Sequence, residues 1–444
     1  MKKVITYGTF DLLHYGHIRL LERARELGDY LIVGVTTDDF DKVRGKINVQ
    51  QPLMERVEAV RATGLADEII IEEYEGQKID DIQRLGIDIF TVGSDWDGYF
   101  DYLKDYCEVV YLDRTQGISS TEIRSESSEV RIGIVGETSV IEKVVKECNQ
   151  VNGLKVVGIC SENRNYKELL SNIVFTSDYN HLLDQIDAVY ILSHPKLHFD
   201  QAKEALGKGK NVICESPLAL SKNECEHLFK LAKEKNCVLF EGIKTAYSTA
   251  YSRLLLQIKS GRIGDVVSIE TTCTSLKNLD ISDKESLAKT WNSICSWGPT
   301  AVLPILQLLG TDYKDLRIIT KLLDENLKFD GFTKFDFEYN HAVATARVAK
   351  GIKSEGDLVI SGTKGYAYVP APWWKTDYFE LRYENQDHNK RFFYQLDGEG
   401  IRYELVAFVK AIQFNQNLTF INEDISIKIA EIIEQFENGQ IHKI

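Results

Sequence analysis

The stretch YGTFDLLHYGHIRLLERARELG, residues 7–28, decides the fold of the first part of the chain. Residues 4–7 form a short apolar run that predicts a strand leading into it. Apolar residues then recur at helical spacing, with arginines and glutamates on the opposite face: Ile18, Leu21, Ala24 and Leu27. This pattern predicts a helix that starts near His17 and is closed by Gly28. A strand followed by such a helix is typical of a parallel α/β sheet.

The same alternation continues to the end of a first unit. Apolar runs predict five strands, at residues 4–7, 30–36, 68–71, 87–92 and 109–112. A final helix is opened by RTQGISSTEIR, residues 114–124. Because parallel neighbours need helical crossovers, we expect one parallel-sheet α/β domain over residues 1–126.

A polar junction, SESSE at residues 125–129, precedes a second strand–helix series. It begins with VRIGIVG and predicts strands at residues 130–136, 154–160, 188–193, 211–217 and 237–242. We therefore expect a Rossmann-like domain at residues 129–246. Longer alternating runs follow, at residues 266–276, 341–349 and 365–370. They predict an α+β domain with an antiparallel or mixed sheet over residues 247–444.

Composition narrows the class of protein. The chain has 444 residues and a formal net charge of −14, which argues against general binding to nucleic acid or anionic membranes. Its eight cysteines include no CxxC pair, so a disulfide framework or zinc site is disfavoured. No apolar run is long enough to span a bilayer, and no signal peptide is expected. We expect a cytoplasmic enzyme without nucleic-acid partners or membrane insertion.

Two histidines flank a glycine where the first strand gives way to the helix. His14 and His17 would lie at a helix N-terminus, whose free N–H groups and positive potential suit phosphate. Gly16 lets the backbone approach a ligand closely. The alternative is structural, with His17 capping the helix and His14 filling a turn. A zinc site is weaker still, because no suitable third ligand is near.

A second cluster favours the phosphate interpretation. In RTQGISST, an arginine ends a strand, a glycine turns the chain and hydroxyl residues open a helix: Arg114, Gly117, Ser119, Ser120 and Thr121. Ser119 and Glu122 also fit a capping box, which is the structural alternative. Because both clusters follow the carboxyl ends of strands in one unit, both can face one triphosphate.

With these paired motifs, residues 1–124 resemble the glycerol-3-phosphate cytidylyltransferases, of the HxGH nucleotidyltransferase superfamily. The resemblance implies that a polyol phosphate attacks the α-phosphorus of CTP, with Mg²⁺ assisting and pyrophosphate leaving. The product would be CDP-glycerol, a precursor for teichoic-acid-like or capsular polymers. Another polyol phosphate, such as ribitol phosphate, is the alternative acceptor.

The resemblance also implies roles for individual residues, and no direct protein ligand to a metal. His14 and His17 would stabilise the transition state, while Arg114 holds the β and γ phosphates. Nucleotide-binding residues would be Thr9, Phe10, Gly16, Arg44, Lys46, Gly117, Ser119, Ser120 and Thr121. Asp11, Arg56, Asp95 and Trp96 would bind substrate; Asp11 would order the first loop, and Trp96 could equally be core.

The second strand–helix series carries an incomplete dinucleotide fingerprint. Gly136 fills the first glycine position, but Thr138 and Ile141 stand where the other two would be. The acidic residue expected after the second strand is displaced to Glu162. From about residue 129 onward, HPKLHFDQAKEALGKGKNVICESPLAL, GRIGDVVSIE and GTKGYAYVPAPWW resemble the Gfo/Idh/MocA oxidoreductases.

Some residues of this half match the motifs of the Gfo/Idh/MocA family, and others differ from them. The dinucleotide-binding candidates are Gly136, Thr138, Glu162, His198, Glu215 and Pro217, and Pro195 also matches. The family's Glu-Lys-Pro reads Glu215-Ser216-Pro217, and its catalytic helix carries Ser296, Trp297 and Thr300 instead of acid and histidine.

Two interpretations of this half stay open. In the first, it is an NAD(P)-dependent reductase that supplies the polyol phosphate, with Lys244 or Lys375 replacing the lysine of the family's Glu-Lys-Pro motif. In the second, it is a degenerate domain used for dimerisation, regulation or partner binding. Changed or impaired chemistry is favoured. A different class is a reductase whose first domain is a CTP sensor or scaffold. We also expect a homo-oligomer, a dimer or larger.

Overall fold

The computed structural model describes the chain except residues 14, 44–48, 50, 52, 75, 114–128, 138–139, 163–172, 277–278, 395, 397 and 415–418, and except the side chains of residues 39, 42, 43, 95 and 414. The described residues divide into two compact units, Met1–Glu129 and Val130–Ile444.

The first unit is built on five parallel strands in the order β3-β2-β1-β4-β5. The strands are β1 Lys3–Gly8, β2 Tyr30–Thr36, β3 Glu68–Glu72, β4 Ile89–Gly93 and β5 Glu108–Leu112. The helices are α1 Tyr15–Glu26, α2 Asp38–Val43, α3 Leu53–Ala62 and α4 Gln77–Leu85. The predicted parallel α/β architecture is confirmed.

Alternation along β1 explains how the sheet is covered on both faces. Val4 packs into a buried cluster with Leu21 of α1, whereas Ile5 packs into the opposite cluster with Phe90. Helix α1 begins at Tyr15, two residues before the predicted start, so His17 lies inside its first turn. Gly28 follows the helix where a Cβ would lie 2.6 Å from the carbonyl oxygen of Lys2, so only glycine fits there.

The second unit contains a six-stranded parallel sheet with the order β11-β10-β9-β6-β7-β8. Its strands are β6 Val130–Val135, β7 Leu154–Cys160, β8 Val174–Thr176, β9 Ala188–Ile191, β10 Asn211–Glu215 and β11 Leu239–Gly242. Its helices are α5 Val140–Cys148, α6 Tyr179–Leu183, α7 Pro195–Gly207 and α8 Lys222–Lys235. This is the 3-2-1-4-5-6 order of a Rossmann fold. The three-residue edge strand β8 escaped prediction because it is too short to show a pattern.

A nine-stranded mixed sheet follows, in the order β19-β18-β17-β16-β12-β15-β14-β13-β20. Its strands are β12 Val266–Thr274, β13 Asp315–Asp324, β14 Phe329–Glu338, β15 Val343–Ala349, β16 Leu358–Gly362, β17 Tyr366–Val369, β18 Tyr378–Arg382, β19 Lys390–Phe393 and β20 His442–Lys443. β12 pairs with β15 and β13 with β20 in parallel, and the other pairs are antiparallel. Of the two predicted alternatives, an antiparallel or a mixed sheet, the mixed sheet is therefore correct.

The remaining helices tie the two sheets of this unit together. They are α9 Thr249–Lys259, α10 Lys284–Lys289, α11 Ser293–Leu309, α12 Ile401–Phe414 and α13 Glu423–Glu437. Helix α13 packs on α8 and α11, and its Ala430 enters the core of the six-stranded sheet. The end of the chain thus returns to the Rossmann-like part, which explains why Val130–Ile444 forms one unit. No helix in the described ranges is long and apolar enough to cross a membrane.

Candidate functional site

The strand order of the first unit places a crevice between β1 and β4. Crossovers leave these two strands in opposite directions, so the loops at their carboxyl ends part and open a binding site. The loop after β1 carries Thr9 and Asp11, and helix α1 follows it. The chain after β4 forms a short 3-10 turn, Ser94–Trp96. The strand order therefore brings the loop after β1 and the turn after β4 to the same edge of the sheet.

Hydrogen bonds to distant parts of the chain fix the loop after β1. The Thr9 hydroxyl donates to Asp41 Oδ1 over 2.8 Å. The Gln51 N–H donates to Asp11 Oδ1 over 2.9 Å, and the Leu12 N–H donates to Gln51 Oε1 over 2.8 Å. Asp11 is therefore bound to a distant part of the chain, and its binding of substrate stays a prediction. Asp41 and Gln51 were not predicted.

His17 is positioned by an aromatic contact in the first turn of α1. Its ring meets Phe10 edge to face, with 5.5 Å between ring centroids. Phe10 is 1% exposed, so its ring belongs to the core and its backbone is what remains to meet a nucleotide. Phe10 and Leu12 have φ of 52° and 47°, a left-handed conformation uncommon for such residues. A loop strained in this way is held by its surroundings, which is typical of functional sites.

Arg56 braces this loop from beneath. The residue is fully buried, and its guanidinium donates to the carbonyl oxygens of Thr9 (2.6 Å) and Thr36 (2.9 Å). It also pairs with Asp38 and Asp41. With its donors used inside the protein, Arg56 has a positioning role in this geometry. Its direct contact with substrate stays a prediction.

Trp96 packs at the other side of the crevice. Its ring lies 5.3 Å from Tyr99 and 5.8 Å from Phe100, centroid to centroid, while it stays half-exposed. The ring therefore packs partly against the core, and its binding of substrate stays a prediction. Asp95 lies in the same 3-10 turn. The described residues do not include His14, Arg44, Lys46, Arg114, Gly117, Ser119, Ser120, Thr121 or Thr138.

The second unit has an analogous edge between β6 and β9. Gly136 has φ of 148°, and a Cβ there would lie 2.6 Å from the Leu192 carbonyl group. The first glycine of the fingerprint is therefore required by close backbone packing. Glu137, which the sequence did not single out, accepts hydrogen bonds from the Ser161 hydroxyl (3.0 Å) and the Glu162 N–H (2.6 Å). Its carboxylate, beside the displaced Glu162, stands at the end of β7.

His198 links the loops after β9 and β10. Its Nδ1 lies 2.7 Å from the Pro217 carbonyl oxygen, and its Nε2 lies 2.8 Å from that of Ser193. Both ring nitrogens are thus engaged by the backbone. Ser216, which stands in place of the family's lysine, donates to the buried Glu241 and faces the protein interior. Glu215 is half-exposed at the end of β10, and burial of its carboxyl raises its pKa to about 7, against the opposing charge of Lys244.

Comparison with known proteins finds similarities for both halves. The cytidylyltransferase-like family matches residues 5–126. Glycerol-3-phosphate cytidylyltransferase of Staphylococcus aureus is 52% identical over 130 residues, 28% of this chain and 95% of that protein. The Bacillus subtilis enzyme of the same name is 53% identical over 126 residues, 28% of this chain and 97% of that protein. The chain belongs to the glycerol-3-phosphate cytidylyltransferase family.

A second region of the chain also matches a family. The oxidoreductase family with an NAD-binding Rossmann fold, Gfo/Idh/MocA, matches residues 130–243. The 3-ketoreductase KijD10 from Actinomadura kijaniata, in complex with NADP and TDP-benzene, superposes with a TM-score of 0.63 at 17% identity, covering 71% of this chain and 99% of that one. At this identity the likeness shows the fold. Both resemblances inferred from the motifs are confirmed.

Proposed function

We propose that the first unit transfers CMP from CTP to glycerol 3-phosphate, giving CDP-glycerol and pyrophosphate. The observation that carries this proposal is identity above 50% across nearly the full length of two glycerol-3-phosphate cytidylyltransferases. The crevice between β1 and β4, with its ordered loop and His17, supplies a setting for it. CDP-glycerol is an activated glycerol phosphate, suited to building teichoic-acid-like or capsular polymers.

The chain's own residues work by positioning and charge stabilisation. His14 and His17 donate to α-phosphate oxygens, where negative charge grows in the transition state. Arg114 and the hydroxyls of Ser119, Ser120 and Thr121 hold the β and γ phosphates. No covalent intermediate is needed, since in-line attack by the acceptor phosphate requires only alignment.

The braced loop explains how His17 is kept ready. Arg56 holds the Thr9 carbonyl, Asp41 holds the Thr9 hydroxyl, and Asp11 is locked to Gln51. Mg²⁺ bound to the triphosphate would neutralise its charge and favour departure of pyrophosphate. The described residues contain no group of three or more His, Cys, Asp or Glu side chains able to hold a metal.

Pyrophosphate release tests this proposal. The full chain with CTP and Mg²⁺ is offered glycerol 3-phosphate, ribitol phosphate or no acceptor. We expect fast release with glycerol 3-phosphate alone. Faster release with ribitol phosphate would transfer the assignment to the alternative acceptor, and no release with any acceptor would overturn it.

For the second unit we propose a dinucleotide-binding fold with altered family chemistry. Gly136 and the 3-2-1-4-5-6 strand order support dinucleotide binding. Ser216 turned towards Glu241, and Trp297 and Thr300 on α11, do not supply the family's proton chemistry. Because the Glu137 carboxylate stands at the end of β7, we expect NADH to bind more tightly than NADPH, whose extra phosphate it would repel.

Fluorescence titration with NADH and NADPH checks this second candidate. Binding of neither would leave the unit as a structural or regulatory domain. Oxidation of bound NADH by dihydroxyacetone phosphate would instead establish a reductase that supplies glycerol 3-phosphate to the first unit. Location and assembly stay predictions: all eight cysteines are free, which suits a reducing cytoplasm, and a homo-oligomer is still expected.

A further inference from the structure

Three lysines of the second unit converge on one carboxylate. Lys143 of α5, Lys244 directly after β11 and Lys375 of the 3-10 turn Trp373–Lys375 form this lysine triad. Their ammonium nitrogens lie 3.0, 3.2 and 2.9 Å, respectively, from the carboxylate oxygens of Glu399. Segments far apart in sequence therefore build a cationic site beside the carboxyl ends of β10 and β11.

The backbone around the triad is held firmly. The Thr245 hydroxyl donates to the Trp374 carbonyl oxygen over 2.9 Å, which joins the segments carrying Lys244 and Lys375. Trp297 packs against Trp374 with 5.0 Å between centroids. Gly400 has φ of 92°, and a Cβ there would lie 2.8 Å from the Lys244 carbonyl oxygen. The lysines are thus presented by fixed segments rather than by a mobile surface.

The site carries more positive than negative charge. Burial would raise the pKa of Glu399, but hydrogen bonds from Lys375 and Lys143 and the charge of Lys244 outweigh it and lower that pKa to about 2. One carboxylate thus faces three ammonium groups. The neighbouring Glu147 is engaged by Arg402 over 2.9 Å, a pair that is neutral overall.

Two carboxyls interact electrostatically with Lys244: the half-exposed Glu215 and the fully buried Glu404. Burial raises the pKa of Glu215 to about 7, and burial followed by the charge of Glu215 raises the pKa of Glu404 to about 8. At neutral pH Glu404 is therefore mostly protonated and Glu215 only partly ionised, so the two groups neutralise only part of the triad's charge. Tyr190 donates to Glu404 Oε2 over 3.0 Å. Among the described residues, the buried Glu404 Oε1 has no hydrogen-bond partner. A polar atom so placed is suited to a ligand hydroxyl or carbonyl.

We propose that the lysine triad binds the phosphate group of a small organic phosphate, whose hydroxyl or carbonyl oxygen reaches Glu404, and that Glu399 occupies the triad when the ligand is absent. A phosphate dianion satisfies three ammonium groups better than one carboxylate, and lysine is a common point-charge partner of phosphate. Glu399 is then an internal competitor. The site belongs to the second unit and is independent of cytidylyl transfer.

Calorimetric titration of the full chain tests this site, with inorganic phosphate and glycerol 3-phosphate as probes. Glu399→Gln removes the competitor and should tighten binding of both probes about tenfold. The matched control is Glu285→Gln, which alters an exposed carboxylate paired with Lys289 and should leave binding unchanged. Because all variants share an unaltered first unit, its own phosphate sites contribute equally to each titration.

Lysine and Glu404 variants complete the test. In the Glu399→Gln background, Lys375→Gln should abolish the gain in affinity, whereas Lys289→Gln should preserve it. If Lys375→Gln does not fold, Lys143→Gln replaces it, because the Lys143 side chain is 57% exposed. Glu404→Gln should reduce any preference for glycerol 3-phosphate over inorganic phosphate. Equal affinity in wild type and Glu399→Gln, or a gain that survives loss of either lysine, would overturn the proposal. Equal affinity for inorganic phosphate and glycerol 3-phosphate in every variant would show that the lysine triad binds free phosphate and that Glu404 takes no part.

Discussion

The loop after β1 in the first unit and the loop after β6 in the second unit occupy the same topological position. Each follows the central strand of a parallel sheet where the strand order reverses. In the first unit, the Thr9 hydroxyl donates to the Asp41 side chain and Asp11 accepts from the Gln51 backbone N–H, and these bonds keep the loop ready for a ligand. In the second, Gly136 persists, while Ser216 faces Glu241 and His198 engages two carbonyl oxygens. Topology therefore determines where a site lies, and side chains determine its chemistry.

Removing the brace of the first loop should have the largest effect. Arg56→Ala breaks the buried ion pair with Asp41, and breaking a buried ion pair costs about 3–5 kcal/mol of unfolding free energy. Thermal unfolding and pyrophosphate release measure the loss of stability and activity. Arg61→Ala is the matched control, because Arg61 is exposed on the same helix, and it should change little. Equal effects of the two substitutions would show that the brace does not matter.

Loss of His17 should separate activity from stability. His17→Ala is expected to lower kcat by about 10²–10³-fold, as removal of one preorganised donor does. Its unfolding temperature should stay near that of the wild type, apart from the lost contact with Phe10. His388→Ala, at an exposed turn, serves as the control. Retained activity in His17→Ala would assign the histidine a structural role and remove the contrast between the two loops.

The glycine at the second loop can be tested by stability alone. Gly136→Ala places a Cβ against the Leu192 backbone, in a left-handed conformation, and should cost about 1–3 kcal/mol. Gly207→Ala, within α7 where a Cβ meets nothing within 4 Å, should be neutral or slightly stabilising. Denaturant unfolding of the full chain checks both. A harmless Gly136→Ala would mean that the loop tolerates other conformations.

Glu404 should make the stability of the second unit depend on pH. A carboxyl whose pKa rises to about 8 on folding destabilises the fold as pH rises from about 4.5 to 8, since the folded state then holds the extra proton. The slope is at most about 1.4 kcal/mol per pH unit. Glu404→Gln should flatten the decline of unfolding free energy across this range, whereas Glu285→Gln should not. An unchanged slope in Glu404→Gln would contradict the assignment of the proton to this carboxyl.

Local patterns of apolar residues were sufficient to predict much of the fold. The apolar runs located the strands of both parallel sheets except the short edge strand β8, because buried parallel strands are continuously apolar. The first α-helix began two residues early, since the exposed Tyr15 carries no periodic signal. Long-range partners left no local trace: Asp41, Gln51 and Glu137 act on loops distant in sequence. The return of α13 to the six-stranded sheet is also long-range, so no pattern predicted it.

The central claim is that the first unit makes CDP-glycerol, and phosphorus NMR of one reaction mixture tests it most directly. The full chain is incubated with CTP, glycerol 3-phosphate and Mg²⁺, alongside the His17→Ala variant. We expect the signals of a new diphosphate diester and of pyrophosphate to grow in equal amounts with the wild type, and at least a hundredfold more slowly with the variant. CTP that persists unchanged, or is converted without a diester of glycerol, would contradict the claim.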